Sequence, residues 1–344
     1  MTNTLRIGFF ACNKNPARFL EDASFIYRCQ NPALALSDAG HQVTLAHISH
    51  LQRGQHFDLA VIHRPRSHWR FAWWLKRLHK QSNRLIADID DLILHEDYAH
   101  SSPAVLNGIL TEAQVRKEFR ANQRALSHFD RFSVSTQPLA EHIAQHFPGA
   151  QRLWQPNCPH LSWQAFNQTE NIVGPKRLTY FPGTRSHERD FQQVESVISE
   201  FLDKNREIHL EITGHLQTGI KVRPEQLIRI EKQPFANYVQ RVQQSLVNLS
   251  PLEPTVFNAC KSALKVIEAG YWNTPTLSSP TADAERFSGS AALICKEPED
   301  WLNHLNSLKT PEFYEQRTRN LRDRTLEESD IRQVAQNLVQ CALD

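Results

Sequence analysis

Two successive runs of one rhythm constrain this chain more than any single motif. Short apolar segments of strand length alternate with longer amphipathic ones, and the alternation restarts after Gly174. In the first run Leu5–Cys12, Gln42–Ile48, Phe57–His63, Arg84–Ile89, Arg131–Ser135 and Gln151–Pro156 read as strands. Pro32–Ala39, Ser67–Gln81, Thr111–Ser127 and Leu139–His146 read as helices. In the second run Arg177–Phe181, Glu207–Thr213, Leu246–Leu249, Thr276–Ser278 and Ala291–Cys295 read as strands. Its helices are Asp190–Asp203, Phe235–Gln244, Asn258–Tyr271, Glu297–Leu308 and two segments between Thr310 and Ala342. Such alternation predicts an α/β fold with parallel sheets covered on both faces. Two units of similar size imply two Rossmann-like domains facing across a cleft, the default ligand site. A chain of 344 residues has room for two cores at roughly 150 residues per domain. We place an N-terminal domain at 1–160, a linker at 161–175, a C-terminal domain at 176–310 and closing helices at 311–344.

Composition removes several classes. A net charge of +2 gives no global electrostatic case for nucleic acid. The six cysteines are widely spaced with no CxxC pair, against a zinc site or a disulfide scaffold. GxGxxG and the P-loop pattern are both missing, and 11 glycines leave any phosphate site dependent on side chains. No signal-peptide pattern opens the sequence, and no apolar run nears the roughly 20 residues that span a bilayer. The expectation is a cytoplasmic protein, with contact at the inner membrane face left open.

Three segments carry chemistry. In Asn258-Ala-Cys260-Lys261-Ser262-Ala-Leu-Lys265-Val-Ile-Glu268, helical spacing puts Lys261, Lys265 and Glu268 on one face. A helix start with lysines and a hydroxyl suits a diphosphate, and Glu268 could accept hydrogen bonds from ribose hydroxyls. The competing reading is a solvated face with a Lys265–Glu268 pair. The loop Pro182-Gly183-Thr184-Arg185-Ser186-His187 follows a strand and leads to Asp190-Phe191. Gly183 lets a ligand approach the backbone, Arg185 matches phosphate, and His187 is either functional or a plain structural imidazole. Asp88-Ile89-Asp90-Asp91 closes a strand. It reads as a metal-binding DxD, as acceptor-side carboxylates, or as a capping cluster.

The first two segments resemble the donor site of retaining GT-B glycosyltransferases in the sucrose-synthase-like family. Lys261-Ser262, Lys265 and Glu268 match a subset with a KSxxKxxE donor helix, and Asp88–Asp91 resembles that subset's first-domain segment. Ser133–Leu139 and Leu153–Asn157 extend the likeness over roughly residues 55–310. The family's earlier helix glutamate is absent, with Cys260 in its place, and its glycine-rich first loop is replaced by Asn13-Lys14-Asn15. The resemblance implies transfer of a hexosyl or deoxyhexosyl group from a nucleoside diphosphate sugar, with retention, in bacterial-type surface glycan assembly. It implies donor contacts by Gly183, Thr184, Arg185, Gly214, Asn258, Lys261, Ser262, Lys265 and Glu268. Asp90, Asp91 and His187 are then the catalytic candidates, and neither cofactor nor metal is expected. The acceptor is a saccharide or a lipid-linked glycan. A non-catalytic GT-B protein that binds a nucleotide sugar or a partner enzyme is the alternative.

One stretch concerns partners. From His63 to Arg84 there are seven Arg and Lys residues and no acid, interleaved with Trp69, Phe71, Trp73 and Trp74. Arg70, Trp73, Trp74, Lys76 and Arg77 are the candidate contacts to an acceptor or an anionic membrane surface. The plainer reading is a sheet-covering helix with a solvated basic face. Nucleic acid is not expected, and the sequence does not set the oligomeric state.

Overall fold

The computed structural model describes residues 4–166, 176–183, 185–243 and 245–344. Two six-stranded sheets, each parallel throughout, form its frame. The first holds β1 (Arg6–Ala11), β2 (Gln42–His47), β3 (Phe57–His63), β4 (Ser82–Ile89), β5 (Arg131–Val134) and β6 (Gln151–Trp154) in the order β2-β1-β3-β4-β5-β6. The second holds β7 (Lys176–Tyr180), β8 (Ile208–Thr213), β9 (Leu227–Ile230), β10 (Val247–Ser250), β11 (Thr276–Ser278) and β12 (Ala292–Ile294) in the order β12-β11-β10-β7-β8-β9. The order reverses at β1/β3 in one sheet and at β7/β10 in the other. Crevices form at such switch points, outside the carboxyl ends of the strands.

Both faces of each sheet are covered, so the strands read as nearly unbroken buried runs. In β1, Phe10 joins one core with Ile62, Ala87 and Phe132, while neighbouring Phe9 joins Val61 and Ile86 on the opposite face. Leu178, Tyr180, Leu210, Ile212 and Leu249 build the main core of the second sheet. The helices that bear on the site are α1 (Asn31–Asp38), α2 (Phe71–Gln81), α3 (Gln137–His146), α4 (Glu188–Gln192), α5 (Glu195–Lys204), α6 (Phe235–Gln243), α7 (Val256–Ala259), α8 (Leu264–Tyr271), α9 (Leu321–Glu327) and α10 (Ile331–Leu343). Ile331, Val334, Ala335 and Leu338 of α10 enter the core of the first sheet, so the chain's last helix returns to its first half.

Three departures from the expected elements matter. The segment expected as one helix from Asp190 is two, α4 and α5. The edge strand β9, with a half-exposed pattern, was not anticipated. The donor segment is α7 and α8 with a break at Cys260–Ala263, not a continuous helix from Asn258. Partners far along the chain make that break. Thr136 Oγ1 donates to the Cys260 carbonyl at 2.9 Å, and Asp283 Oδ2 accepts the Ala263 N–H at 2.7 Å. These contacts satisfy backbone groups that a continuous helix would have paired internally. The expected linker lies partly outside the described residues, at 167–175.

Candidate active site

The crevice of the second sheet is lined by the loops that follow β7, β8 and β10. Gly183 has φ +75° and Gly214 φ +121°, conformations that disfavour any side chain. A Cβ on Gly214 would sit 3.4 Å from Pro182 Cγ, whereas one on Gly183 would meet nothing within 4 Å. The two turns therefore stack, and open space is left above Gly183. Arg185 stands exposed beside it. Thr184 lies outside the described residues.

His187 is held by Asp190, with Nδ1 2.8 Å from Oδ2. The other Asp190 oxygen accepts from the Glu253 N–H at 2.8 Å and from Asn258 Nδ2 at 2.9 Å. One carboxylate thus ties the loop after β7 to the loop after β10 and keeps the Nδ1 proton on its own side, which leaves Nε2 as the free nitrogen. Burial lowers the pKa of His187; the Asp190 bond opposes this, and the charges of Lys265 and Lys261 add to the lowering. Asn258 was expected to touch the donor. Its Nδ2 donates to Asp190 and to the Glu253 carbonyl at 3.0 Å, and its Oδ1 is buried without a partner among the described residues.

Lys261 lies in the break between α7 and α8, and Lys265 in the first turn of α8. The shared-face argument from helix spacing therefore fails for Lys261, although the break still brings it toward Lys265. Lys261 Nζ is 3.0 Å from Asp91 Oδ1, on the first half of the chain. Lys265 makes no ion pair among the described residues. Burial lowers its pKa and the neighbouring Lys261 charge pushes the same way, while the Asp190 and Glu268 carboxylates partly oppose this. An ammonium with carboxylates nearby but no direct partner pays part of its desolvation cost, which a bound anion would offset. Glu268 is buried and accepts hydrogen bonds from the Tyr27 hydroxyl and, at 2.7 Å, from the Tyr238 hydroxyl. Burial pushes its pKa up to about 7 despite both bonds. Ser262 Oγ accepts from Asn157 Nδ2 at 2.8 Å. Cys260 is buried and packs with Phe257 in the core of the first half.

The first-half edge of the cleft is an ion network. Arg64 reaches Asp90 Oδ1 at 2.6 Å and Asp91 Oδ2 at 2.8 Å. Its own φ is +47°, an uncommon backbone state for a side-chain-bearing residue that here aims the guanidinium along both carboxylates. Burial would raise the pKa of Asp90, but Arg64 and His63 outweigh it and hold the group below the usual carboxylate range. A carboxylate so stabilised is a weak proton acceptor. Behind it His63 Nδ1 is 2.7 Å from Asp88 Oδ2, and His63 Nε2 is 2.8 Å from Ser24 Oγ, which donates to Asp90. The spacing matches a Ser–His–Asp alignment, but the Ser24 proton points to Asp90 and not to the imidazole, so Ser24 is not poised as a nucleophile. Cys29, His63 and Asp88 also approach one another closely enough to hold a metal. Within this trio Asp88 is already ion-paired, with Arg28 2.5 Å from its carboxylate, and burial raises the pKa of the Cys29 thiol.

Among the expected surface contacts, Trp74 is a correction. It lies in the core with Phe71, Leu75 and Leu78, because the apolar stripe of α2 faces the sheet. Trp73 is 53% exposed, Trp69 is 82% exposed, and Arg70 and Lys76 are exposed. Arg77 stacks 4.8 Å from the Trp73 ring centroid. Sequence reading missed Tyr27, Tyr238, Arg64, Ser24 and His63. Only His63 and Arg64 carried a signal, as polar residues at the carboxyl end of an apolar strand.

No protein-family model matches the sequence, and no curated protein matches it. Solved structures match it in three dimensions. An alpha-glucosyltransferase solved with UDP and a 13-mer DNA containing a HMU base has a TM-score of 0.66 at 11% identity, covering 99% of this chain and 100% of that one. Sucrose-phosphate synthase from Thermosynechococcus elongatus has a TM-score of 0.62 at 13% identity, covering 98% of each chain. TarM has a TM-score of 0.59 at 11% identity over 83% of this chain, which spans 55% of TarM's length. The architecture is GT-B. Identities this low speak to the fold alone. The two facing sheets and the crevices at their carboxyl edges are therefore shared with these glycosyltransferases.

Proposed function

We propose that the chain transfers a glycosyl group from a nucleoside diphosphate sugar held by its second half. The observation that carries this reading is the Lys265 ammonium at the start of α8, which makes no ion pair among the described residues and lies near Lys261 and His187 in one loop cluster. A diphosphate would give this ammonium a direct anionic partner. Lys261, Lys265, Ser262 and Arg185 would neutralise it as it leaves, and Glu268 would accept from the ribose hydroxyls. In the step itself an acceptor oxygen bonds to the anomeric carbon. The bond from that carbon to the phosphate oxygen breaks, and its electron pair goes to the diphosphate. With retention the acceptor proton passes to the leaving phosphate oxygen, so no protein base is needed. The depressed pKa of Asp90 favours this route and gives Asp90 and Asp91 an orienting role toward the acceptor.

The acceptor is a saccharide or lipid-linked glycan, in surface glycan assembly at the cytoplasmic face of a membrane. Trp69, Trp73, Arg70, Lys76 and Arg77 form a basic, aromatic surface suited to an anionic bilayer. No helix among the described residues is long and apolar enough to cross a membrane.

A second reading, a non-catalytic protein of the same fold, is favoured by Cys260, which stands buried where the resembled family has a glutamate. Release of nucleoside diphosphate from a panel of nucleotide sugars separates the two. Turnover by the wild type and its loss in a Lys261→Ala/Lys265→Ala variant support the enzyme. Release at the same rate by both proteins refutes the assigned site.

A further inference from the structure

Three of the groups assigned to the donor, Lys261, Ser262 and Glu268, are already engaged by partners from the first half of the chain. Asp91, just after β4, puts a carboxylate oxygen 3.0 Å from Lys261 Nζ. Tyr27, ahead of α1, puts a hydroxyl on Glu268. Asn157, after β6, donates to Ser262 at 2.8 Å. These are separate segments, all at the carboxyl edge of the first sheet. The first two partners carry the chemistry of the expected ligand: an anionic oxygen on the phosphate-binding lysine, and a hydroxyl on the ribose-binding carboxylate.

We propose that the first half of the chain is a built-in stand-in for the donor nucleotide, and that donor binding must displace Asp91 from Lys261 and Tyr27 from Glu268. The proposal rests on the donor-site reading above. It makes the unliganded protein self-occupied, so the nucleotide and the first half compete for the same groups. Lys265 sets the order of events. Its ammonium has no hydrogen-bond or ion-pair partner to lose among the described residues, so the diphosphate engages it first, and the Lys261 and Glu268 contacts exchange afterwards. Tyr238 sits on the same half as Glu268 and stays with it at 2.7 Å.

Two conservative variants test this. Asp91→Asn removes the charge that mimics phosphate, and Tyr27→Phe removes the hydroxyl that mimics ribose. Asp91 is half-buried and Arg64 keeps Asp90 as a partner, so the first variant is expected to fold; melting temperatures check both. Calorimetric titration with UDP, GDP, ADP and CDP finds the nucleotide that the wild type binds, and its nucleoside is titrated alongside. Asp91→Asn should tighten the diphosphate at least threefold and leave the nucleoside unchanged. Tyr27→Phe should tighten both. Equal or weaker diphosphate binding in both variants, with a wild type that binds, overturns the self-occupied site and leaves the donor site standing. Absence of binding to any of the proteins overturns the donor-site reading and this proposal together.

Discussion

Lys265→Met should move stability and ligand affinity in opposite directions. The wild-type ammonium sits at the start of α8 in a partly desolvated place, with a lowered pKa and no ion pair among the described residues. Methionine keeps the length of the stem and discards the charge. Removing a partly buried charge that has no direct partner should stabilise the unliganded fold by about 1–2 kcal/mol. The same ammonium would make a charge-assisted hydrogen bond to a phosphate oxygen, worth about 1.5–3 kcal/mol. At about 1.4 kcal/mol per factor of ten, its loss should weaken nucleoside diphosphate binding by about 10–150-fold. Urea denaturation without ligand gives the first quantity, and calorimetric titration with the best-binding nucleoside diphosphate gives the second. A variant that is less stable than the wild type yet binds the nucleotide equally well refutes the reasoning. Lys265 would then be a structural residue whose charge is matched in place.

Other consequences are as direct. The pKa of Glu268 rises from 4.5 to about 7 on folding, so the folded state holds this proton more tightly than the unfolded one. Stability from this group is full below about pH 4.5 and falls as pH rises through 7, by roughly 3 kcal/mol at about 1.36 kcal/mol per pKa unit. Denaturation midpoints of Glu268→Gln against wild type across that window check it, because the variant should lose the slope. A Cβ on Gly270 would lie 2.5 Å from Thr325 Oγ1 and 2.6 Å from Ala291 Cβ. Gly270→Ala should therefore force α8 from α9 and cost about 1–3 kcal/mol by overpacking, read as a lower melting temperature. Trp69→Ala and Trp73→Ala should weaken sedimentation with anionic vesicles at unchanged stability. Trp74→Ala should instead destabilise the fold by about 3–5 kcal/mol.

The fold was legible because it rests on local periodicity. Apolar strand runs such as Phe57–His63 kept their bounds within a residue or two, and Thr111 and Glu297 capped helices where the pattern began. What sequence did not disclose depends on distant partners. The break at Cys260–Ala263 carries no glycine or proline; Thr136 and Asp283 impose it from elsewhere in the chain. Trp74 and Trp73 are adjacent and chemically alike, and only the phase of α2 against the sheet decides that one is core and the other surface. The donor lysines were legible as a motif. Their occupation by Asp91 and the hold of Tyr27 on Glu268 were not, because those contacts span 170 and 241 residues.

A crystal structure grown with the nucleoside diphosphate that most raises the melting temperature tests the central claim most directly. The account predicts the diphosphate within hydrogen-bonding reach of Lys261 and Lys265, and the ribose hydroxyls on Glu268. A nucleotide bound elsewhere, with Lys265 still unpartnered and Asp91 still on Lys261, would contradict it.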